Sequence, residues 1–328
     1  MPSGIEKGTI DWLMEGPAYV RYRTMLDLLR LDISNESVIE SRSSMLADPL
    51  VLSLMSKVSE PWRLLNSHRS ASHPIHILEF LSEIGIRTDD PGMPTAVDRL
   101  MDGISEEGQF RVSMVIPKHF GGSGVEELGW ILCDAPMAVS CLARMGLGDD
   151  PRVVQAARHI ARLSSEVGWR CIGSKEIGKF RGPGRKDDPC PYATLISLKA
   201  LSEFPELASG EAAMAGTECI LDLWENSRER HPYQFYMGTD FRKVKAPLVW
   251  YDILHVVDVL SLFEHVRDDL RYKDMVSVLA SKADQKGRMV PESVWQDWRD
   301  WEFGQKKVPS RWATFLYLRI LARNGKDI

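Results

Sequence analysis

The residues with the clearest chemical potential lie close together in residues 178–201, which read GKFRGPGRKDDPCPYATLISLKAL. A glycine-rich basic loop comes first, and its cations are Lys179, Arg181, Arg185 and Lys186. Possible metal ligands follow, namely Asp187, Asp188 and Cys190, and an apolar helix is predicted directly after them. Glycines allow close backbone approach, arginine binds phosphate oxygens bidentately, and a helix N-terminus adds a favourable dipole. The loop therefore predicts an anion site, or else a solvated loop whose charge Asp187 and Asp188 balance.

The elements that must position these residues belong to an ordinary globular chain. It has 328 residues, of which 44% are hydrophobic and 27% charged, with a net charge of −5 and a pI of about 6.0. Such a balance argues against a nucleic-acid or membrane-surface partner, and no apolar run approaches the roughly 20 residues that span a bilayer. Five irregularly spaced cysteines and a start without a basic and apolar leader predict a reducing, cytoplasmic location.

A unit of about 60 residues recurs from residue 60 onward. Each unit has an irregular segment, a polar or proline-marked start and an apolar helix; the starts are marked by Pro74, Pro136, Pro191, Asp252 and Arg311. More amphipathic helices are predicted between them, at residues 94–104, 150–167, 209–226 and 266–282. Strand signals are weak throughout, so the sequence predicts an all-α fold.

The alternation of two helix types predicts how the units pack. A helix that is apolar on most sides belongs inside, and one with a single apolar stripe belongs outside. A run of such pairs stacks into an open solenoid or closes into a ring. Five or six pairs favour closure, with the helices of residues 1–60 supplying the sixth pair. The expected architecture is one α/α-toroid domain over residues 1–328, with residues 61–328 forming the repeats.

This pattern resembles the α/α toroid of protein prenyltransferase β subunits and of squalene and terpene cyclases. The local likeness is to the prenyltransferase zinc site, which takes an Asp-x-Cys at one inner-helix start and a histidine at the next. Asp188-Pro189-Cys190 opens one apolar helix here, and the next opens with Asp252-Ile253-Leu254-His255. The resemblance implies a zinc ion held by Asp188, Cys190 and His255, with Asp252 nearby.

The same resemblance implies a diphosphate site beside the zinc. Arg185 and Lys186 precede the Asp-x-Cys as the family's diphosphate-binding residues do, and Tyr192 follows it as the family's tyrosine does. The two cations are adjacent and nearer the aspartate than in the family, and Tyr192 is one residue further from Cys190. Lys179 and Arg181 extend the basic loop.

Zinc takes about four ligands, and catalytic sites leave one position open. The three expected ligands would leave room for a substrate thiolate or water, and zinc would keep a bound thiol nucleophilic at neutral pH. Cys171 is a spare ligand that would close the site and make it structural. Without a metal, Cys190 is a small buried thiol and His255 a core histidine bonded to a backbone carbonyl.

The function expected from these residues is a zinc-dependent, prenyltransferase-like transfer on an apolar, isoprenoid-like substrate in a central cavity, with a protein partner subunit possible. Aromatic residues near the C-terminus would line such a cavity or pack between helices; they are Trp295, Trp298, Trp301, Phe303 and Trp312. One alternative is a metal-free, proton-initiated cyclase-like enzyme with Asp134 or Asp188 as the acid, although the cyclase Asp-x-Asp-Asp run is incomplete. The other is a non-catalytic toroid that binds a ligand or protein.

Overall fold

The structure, a computed structural model, describes residues 7–62, 64, 69–179, 187–232 and 235–325. Across these ranges the chain is mostly helical, with fourteen α-helices and one two-stranded sheet, which confirms the all-α prediction. None of the helices in these ranges is both long enough and apolar enough to cross a bilayer.

The first seven helices lie in the first half of the chain, and the sheet lies between the sixth and the seventh. They are α1 (Lys7–Met14), α2 (Ala18–Arg23), α3 (Glu36–Leu46), α4 (Pro49–Ser59), α5 (Pro74–Ile84), α6 (Met93–Asp102) and α7 (Ala135–Leu142). The second seven are α8 (Pro151–Arg162), α9 (Pro191–Leu201), α10 (Pro205–Ala208), α11 (Glu211–Glu225), α12 (Ile253–Leu260), α13 (Leu270–Ala280) and α14 (Arg311–Arg323). Short π-helical turns extend α2 and α7.

Helix starts follow local sequence rules. Proline occupies the first turn of α5, α8 and α9, where its missing N–H costs no hydrogen bond. The side chains of Asn35, Asp150 and Asp269 cap α3, α8 and α13 by accepting a backbone N–H two residues on. Gly85 ends α5 at φ 100°, a left-handed conformation that glycine adopts without strain.

Burial separates the helices into the two predicted types. Every residue of α5, α7, α9 and α12 is buried, whereas α6, α8 and α13 bury only one stripe each. The buried helices begin at or within one residue of the predicted starts, and α14 is buried from Trp312 to Leu321. These helices differ in burial as the sequence predicts, whereas α11, also expected outside, buries eight of its fifteen residues. The arrangement into inner and outer layers stays a prediction.

The chain divides into two compact units, one of residues 55–238 and one of residues 1–54 with 239–328. Within residues 55–238, α5 packs on α7, α7 on α9 and α9 on α11. Within the other unit, α12 packs on α13 and α14, and α14 also packs on α1 and α2. The N-terminal helices thus join the last inner helix of the chain. Closure of all the helices into one ring stays a prediction.

A short hairpin between α6 and α7 was not expected. Strand β1 (Val112–Val115) pairs antiparallel with β2 (Glu126–Gly129), with Val112 opposite Gly129. The sequence hides it because β2 reads EELG, without β-branched residues, and the connection is a ten-residue loop rather than a tight turn. Packing against the turn Lys175–Ile177 supports β2, and a Cβ at Gly129 would come within 2.4 Å of Ile177 Cγ2.

The C-terminal aromatic residues pack against one another. Trp301 lies 5.4 Å from Tyr19 and 5.5 Å from Trp298 between ring centroids, and Trp312 lies 5.1 Å from Phe315. Trp298, Trp301 and Trp312 are buried. For these rings the structure supports the packing alternative over a cavity lining.

Buried ion pairs join inner helices within each unit. In one unit, Asp258 of α12 binds Arg319 and Arg323 of α14, each at 2.9 Å. The side chains of Asp258 and Arg319 are only 3% and 6% exposed. In the other unit, Glu79 of α5 binds Arg144 at 3.1 Å and also pairs with Lys199 of α9. Glu79 and Lys199 are likewise buried, so each of these four charged groups depends on its partner.

Replacing Asp258 by Asn should destabilise the fold strongly. The change leaves Arg319 buried beside a neutral amide, and breaking a buried pair in this way costs about 3 kcal/mol. Urea unfolding measures the difference. The control is Asp268→Asn in the same unit, because the side chain of Asp268 is fully exposed beside Lys273 and its replacement should leave stability almost unchanged. Equal effects of the two substitutions would contradict the assigned role of the buried pair.

Candidate metal centre

Three cysteine side chains converge within residues 55–238. Cys133 lies just before α7, Cys190 is the N-cap residue of α9, and Cys171 lies on the segment between α8 and α9. Their Sγ atoms all lie within 4.8 Å of one another. Cys133 and Cys190 are buried, and Cys171 is partly exposed.

Backbone hydrogen bonds hold the residues that precede Cys133 beside those that follow Cys171. Leu132 N donates to the Ile172 carbonyl at 3.1 Å, and Ser174 N donates to the Trp130 carbonyl at 2.8 Å. The intervening pair is Ile131 and Gly173, in antiparallel register. A Cβ at residue 173 would lie 2.6 Å from the Trp130 carbonyl oxygen, so glycine is required for this close approach.

The third cysteine is fixed by the segment that precedes Cys171. Cys190 N donates to the carbonyl of Trp169 at 2.7 Å, and Trp169 N donates to Thr194 Oγ1 at 3.0 Å. The Trp169 indole is fully buried, and its Nε1 donates to the Ile160 carbonyl at 2.8 Å. The start of α9 is thereby attached to the strand-like segment that carries Cys171.

Two helix starts meet at the three thiols, and their dipoles favour negative charge there. The hydrogen bonds between the thiols and their burial have the opposite effect and favour the neutral, protonated form. Hydrogen bonds with Cys171 and Cys190, followed by burial, raise the pKa of Cys133 far above its usual value. For Cys171 the hydrogen bond with Cys133 lowers the pKa, but that with Cys190, together with burial, outweighs it and raises the pKa. Cys133 and Cys171 therefore favour the protonated form without a cation, and a metal ion would displace their protons.

The geometry suits a single soft ion. Zinc binds thiolate sulfur at about 2.3 Å, so two thiolates on one tetrahedral ion lie about 3.8 Å apart. The observed Sγ separations, all within 4.8 Å, reach that value by small side-chain rotations. Thiolates select zinc, Cu(I) or iron–sulfur clusters among biological metal centres. Three protein ligands leave one coordination position for water, a substrate or a neighbouring carboxylate.

The structure brings together part of the predicted ligand set and adds a residue that the sequence prediction missed. Cys171, expected only as a spare ligand, lies beside Cys190. Cys133 was not expected, although it directly precedes a proline-marked helix start, as Asp188 and Cys190 do. Asp188 is partly buried beside a cavity and is outside the three-thiol group.

His255 belongs to the other compact unit. It is buried in the first turn of α12, and its Nδ1 lies 2.7 Å from the carbonyl oxygen of Trp250. This contact matches the alternative of a core histidine bonded to the backbone. The zinc set of Asp188, Cys190 and His255 stays a prediction.

Two of the three predicted catalytic residues adjoin the thiols. Asp134 follows Cys133 in the chain, is 2% exposed and adds to the raised pKa of Cys171. Tyr192 is fully buried in the first turn of α9. Burial raises the pKa of Tyr192, and the nearby carboxyl group of Asp134 raises it further, so its phenol is neutral.

The third predicted catalytic residue, Asp252, caps α12. Its Oδ1 accepts the backbone N–H groups of Leu254 and His255 at 3.1 and 3.2 Å. Burial raises the pKa of Asp252 to about 7, against the lowering effect of these hydrogen bonds and of Lys245. A buried carboxyl group with this pKa exchanges a proton near neutral pH.

The predicted anion loop is only partly described. Lys179 is exposed at its start, and Arg181, Arg185 and Lys186 lie outside the described residues. A cavity of about 560 Å3 lies next to Asp188 and Pro189. Among the described residues, its wall carries the guanidinium of Arg230 and six carboxylates: Glu166, Asp187, Asp188, Glu218, Asp222 and Glu229. This described part of the wall is mainly acidic rather than apolar, as an isoprenoid chain would require, and the substrate cavity stays a prediction.

Comparison with known proteins assigns no family to the chain. Neither a scan against protein-family models nor a search of curated proteins finds a match. The resemblance to prenyltransferase β subunits therefore stays a prediction, and the functional assignment rests on the three thiols and their surroundings.

Replacing Asp252 by Asn should remove a pH-dependent loss of stability. Because the folded pKa of about 7 lies above the unfolded value of 3.8, the folded state binds the extra proton, and stability falls as pH rises through this window. The unfolding free energy of Asp252→Asn minus that of the wild type should therefore rise by roughly 2.5 kcal/mol from pH 5 to pH 8. Urea unfolding across that range measures this gain.

The matched control for Asp252→Asn is Asp269→Asn. Asp269 caps α13 in the same unit, and its pKa is lowered, chiefly by Arg271, so its contribution is constant above pH 5. The control should leave the pH dependence of stability unchanged. If Asp252→Asn also leaves it unchanged, the carboxyl group is ionised in the folded protein throughout, and the raised pKa is wrong.

Proposed function

We propose that this chain is a zinc-binding protein whose ion is held by Cys133, Cys171 and Cys190. The observation that carries the proposal is the convergence of three Sγ atoms within 4.8 Å, at the starts of two neighbouring buried helices. Zinc is favoured over Cu(I) because a tetrahedral ion also accepts an oxygen ligand, which Asp134 or water can supply.

The proposed reaction class follows the sequence resemblance: transfer of an apolar, isoprenoid-like group to a substrate thiol. When bound, zinc lowers the pKa of a coordinated thiol and keeps it nucleophilic at neutral pH. Cys133 and Cys190 are buried and fix the centre, whereas Cys171 is partly exposed, so a substrate would reach the ion from the side of Cys171. Asp134 and the neutral phenol of Tyr192 adjoin the thiols and would hold or donate a proton there.

The α/α toroid is part of the same proposal. Three features support it: the alternation of buried and one-sided helices, the packing of α5, α7 and α9 as successive neighbours, and the packing of α14 on α1 and α2. A closed ring would need each of these. A separate partner subunit, which the prenyltransferase resemblance implies, is likewise a proposal.

Elemental analysis of the protein purified without chelator tests the metal proposal. About one zinc per chain is expected, and Cys133→Ser, Cys171→Ser and Cys190→Ser should each lose most of it, since three ligands hold the ion. Cys219→Ser is the matched control, because Cys219 is a buried cysteine outside the three-thiol group and should retain full zinc. Circular dichroism confirms that each variant is folded.

The same measurement separates the two ligand sets. Loss of zinc in His255→Ala and Asp188→Asn, with zinc kept in Cys133→Ser, would favour the set implied by the resemblance and overturn the three-thiol centre. Absence of metal from the wild type, even after addition of zinc, would leave the metal-free alternatives: a cyclase-like enzyme using Asp134 or a non-catalytic binding toroid.

A further inference from the structure

Backbone hydrogen bonds between two segments hold Cys133 and Cys171 near each other. Leu132 and Ile172 face each other in a hydrogen-bonded position, as do Trp130 and Ser174. The pair between them, Ile131 and Gly173, is non-hydrogen-bonded. The bridge ends there, because Asp134 N donates to the Ile131 carbonyl at 3.0 Å and the chain turns into α7. Cys133 follows Leu132 and Cys171 precedes Ile172, so the hydrogen bond between these two neighbours keeps the two cysteines close to each other.

That position suits a disulfide. The Sγ atoms of Cys133 and Cys171 already lie within 4.8 Å, and rotation about their Cα–Cβ bonds brings them to bonding distance. Cys190 approaches from α9 instead and is not part of this pairing.

We propose that Cys133 and Cys171 form a reversible disulfide when the protein meets hydrogen peroxide, and that the bond releases the metal ion. Metal release rests on the proposed function, because it requires the three-thiol centre; the disulfide itself does not. Oxidation removes two of the three thiolates, and Cys190 alone cannot hold the ion. The centre thereby becomes a peroxide-sensitive modification site.

The chemistry balances with peroxide as the oxidant. Cys171 is the partly exposed thiol, so its sulfur attacks one peroxide oxygen, the O–O bond breaks, and the products are a Cys171 sulfenic acid and one water. The sulfur of Cys133 then attacks the Cys171 sulfur, the S–O bond breaks, and the thiol proton leaves with the hydroxyl as a second water. Two thiols lose two electrons to one peroxide. A dithiol reductant returns two hydrogens and restores both thiols.

The test uses the reduced, zinc-loaded full chain. Peroxide is added in slight excess, released zinc is read with a chromogenic chelator, and the alkylated protein is digested for mass spectrometry. We expect a linked Cys133–Cys171 peptide, zinc release in parallel with it, and recovery of both thiols with dithiothreitol. Cys219→Ser should behave like the wild type.

The remaining variants separate the Cys133–Cys171 disulfide from other outcomes. Cys190→Ser should still form the Cys133–Cys171 bond, whereas Cys171→Ser should form no disulfide within the cluster. A Cys171–Cys190 peptide in the wild type, or peroxide treatment that leaves all three thiols reduced, would overturn the inference. If the disulfide forms in a chain that never binds zinc, the metal proposal fails while the oxidation site stands. If zinc binds and no disulfide forms, the oxidation site is wrong while the metal proposal stands.

Discussion

Complete burial of the inner helices is the constraint on which the rest of this structure depends. When every residue of a helix is buried, the backbone groups at its ends must find partners inside the protein, since water cannot supply them. Polar side chains therefore gather at the helix starts: Asp252 caps α12, Cys190 caps α9, and Ser310 caps α14. Glu302 adds to the last start by accepting the backbone N–H groups of Arg311 and Trp312. The same requirement concentrates the reactive side chains of the chain at these places.

The opposite ends of the inner helices carry the charged groups. Cys133 and Cys190 bring the starts of α7 and α9 together, and Arg144, after α7, and Lys199, near the end of α9, both contact Glu79, so the two helices run in the same direction. The N-terminal ends of α7 and α9 thus carry the thiols, and their C-terminal ends carry the ion pairs. A buried ion pair contributes little net stability, but it penalises any register in which a charge loses its partner. The ion pairs therefore help to fix the register that aligns the thiols.

Much of the fold could be predicted because it depends on local patterns. Apolar periodicity predicted the helices, and proline and aspartate predicted where they start. The distribution of polar residues around each helix predicted how far it is buried. The three-thiol centre could not be predicted in full because it depends on backbone pairing between residues 130–132 and 172–174, which no periodic signal marks. Cys133 and Cys171 are far apart in sequence, and only the turn of the chain through α8 brings them together. The hairpin was missed for a similar reason, since β2 is stabilised by what it packs against. The pKa of Asp252 depends on burial and on Lys245, so its value also lay beyond sequence reasoning.

The division of the chain has a consequence for the order in which it folds during synthesis. Residues 55–238 are continuous, and all three cysteines lie within them. The other unit joins residues 1–54 to residues 239–328, because α14 packs on α1 and α2. Domains form as their residues leave the ribosome. The unit that carries the thiols can therefore fold before α14, on which α1 and α2 pack, has been synthesised.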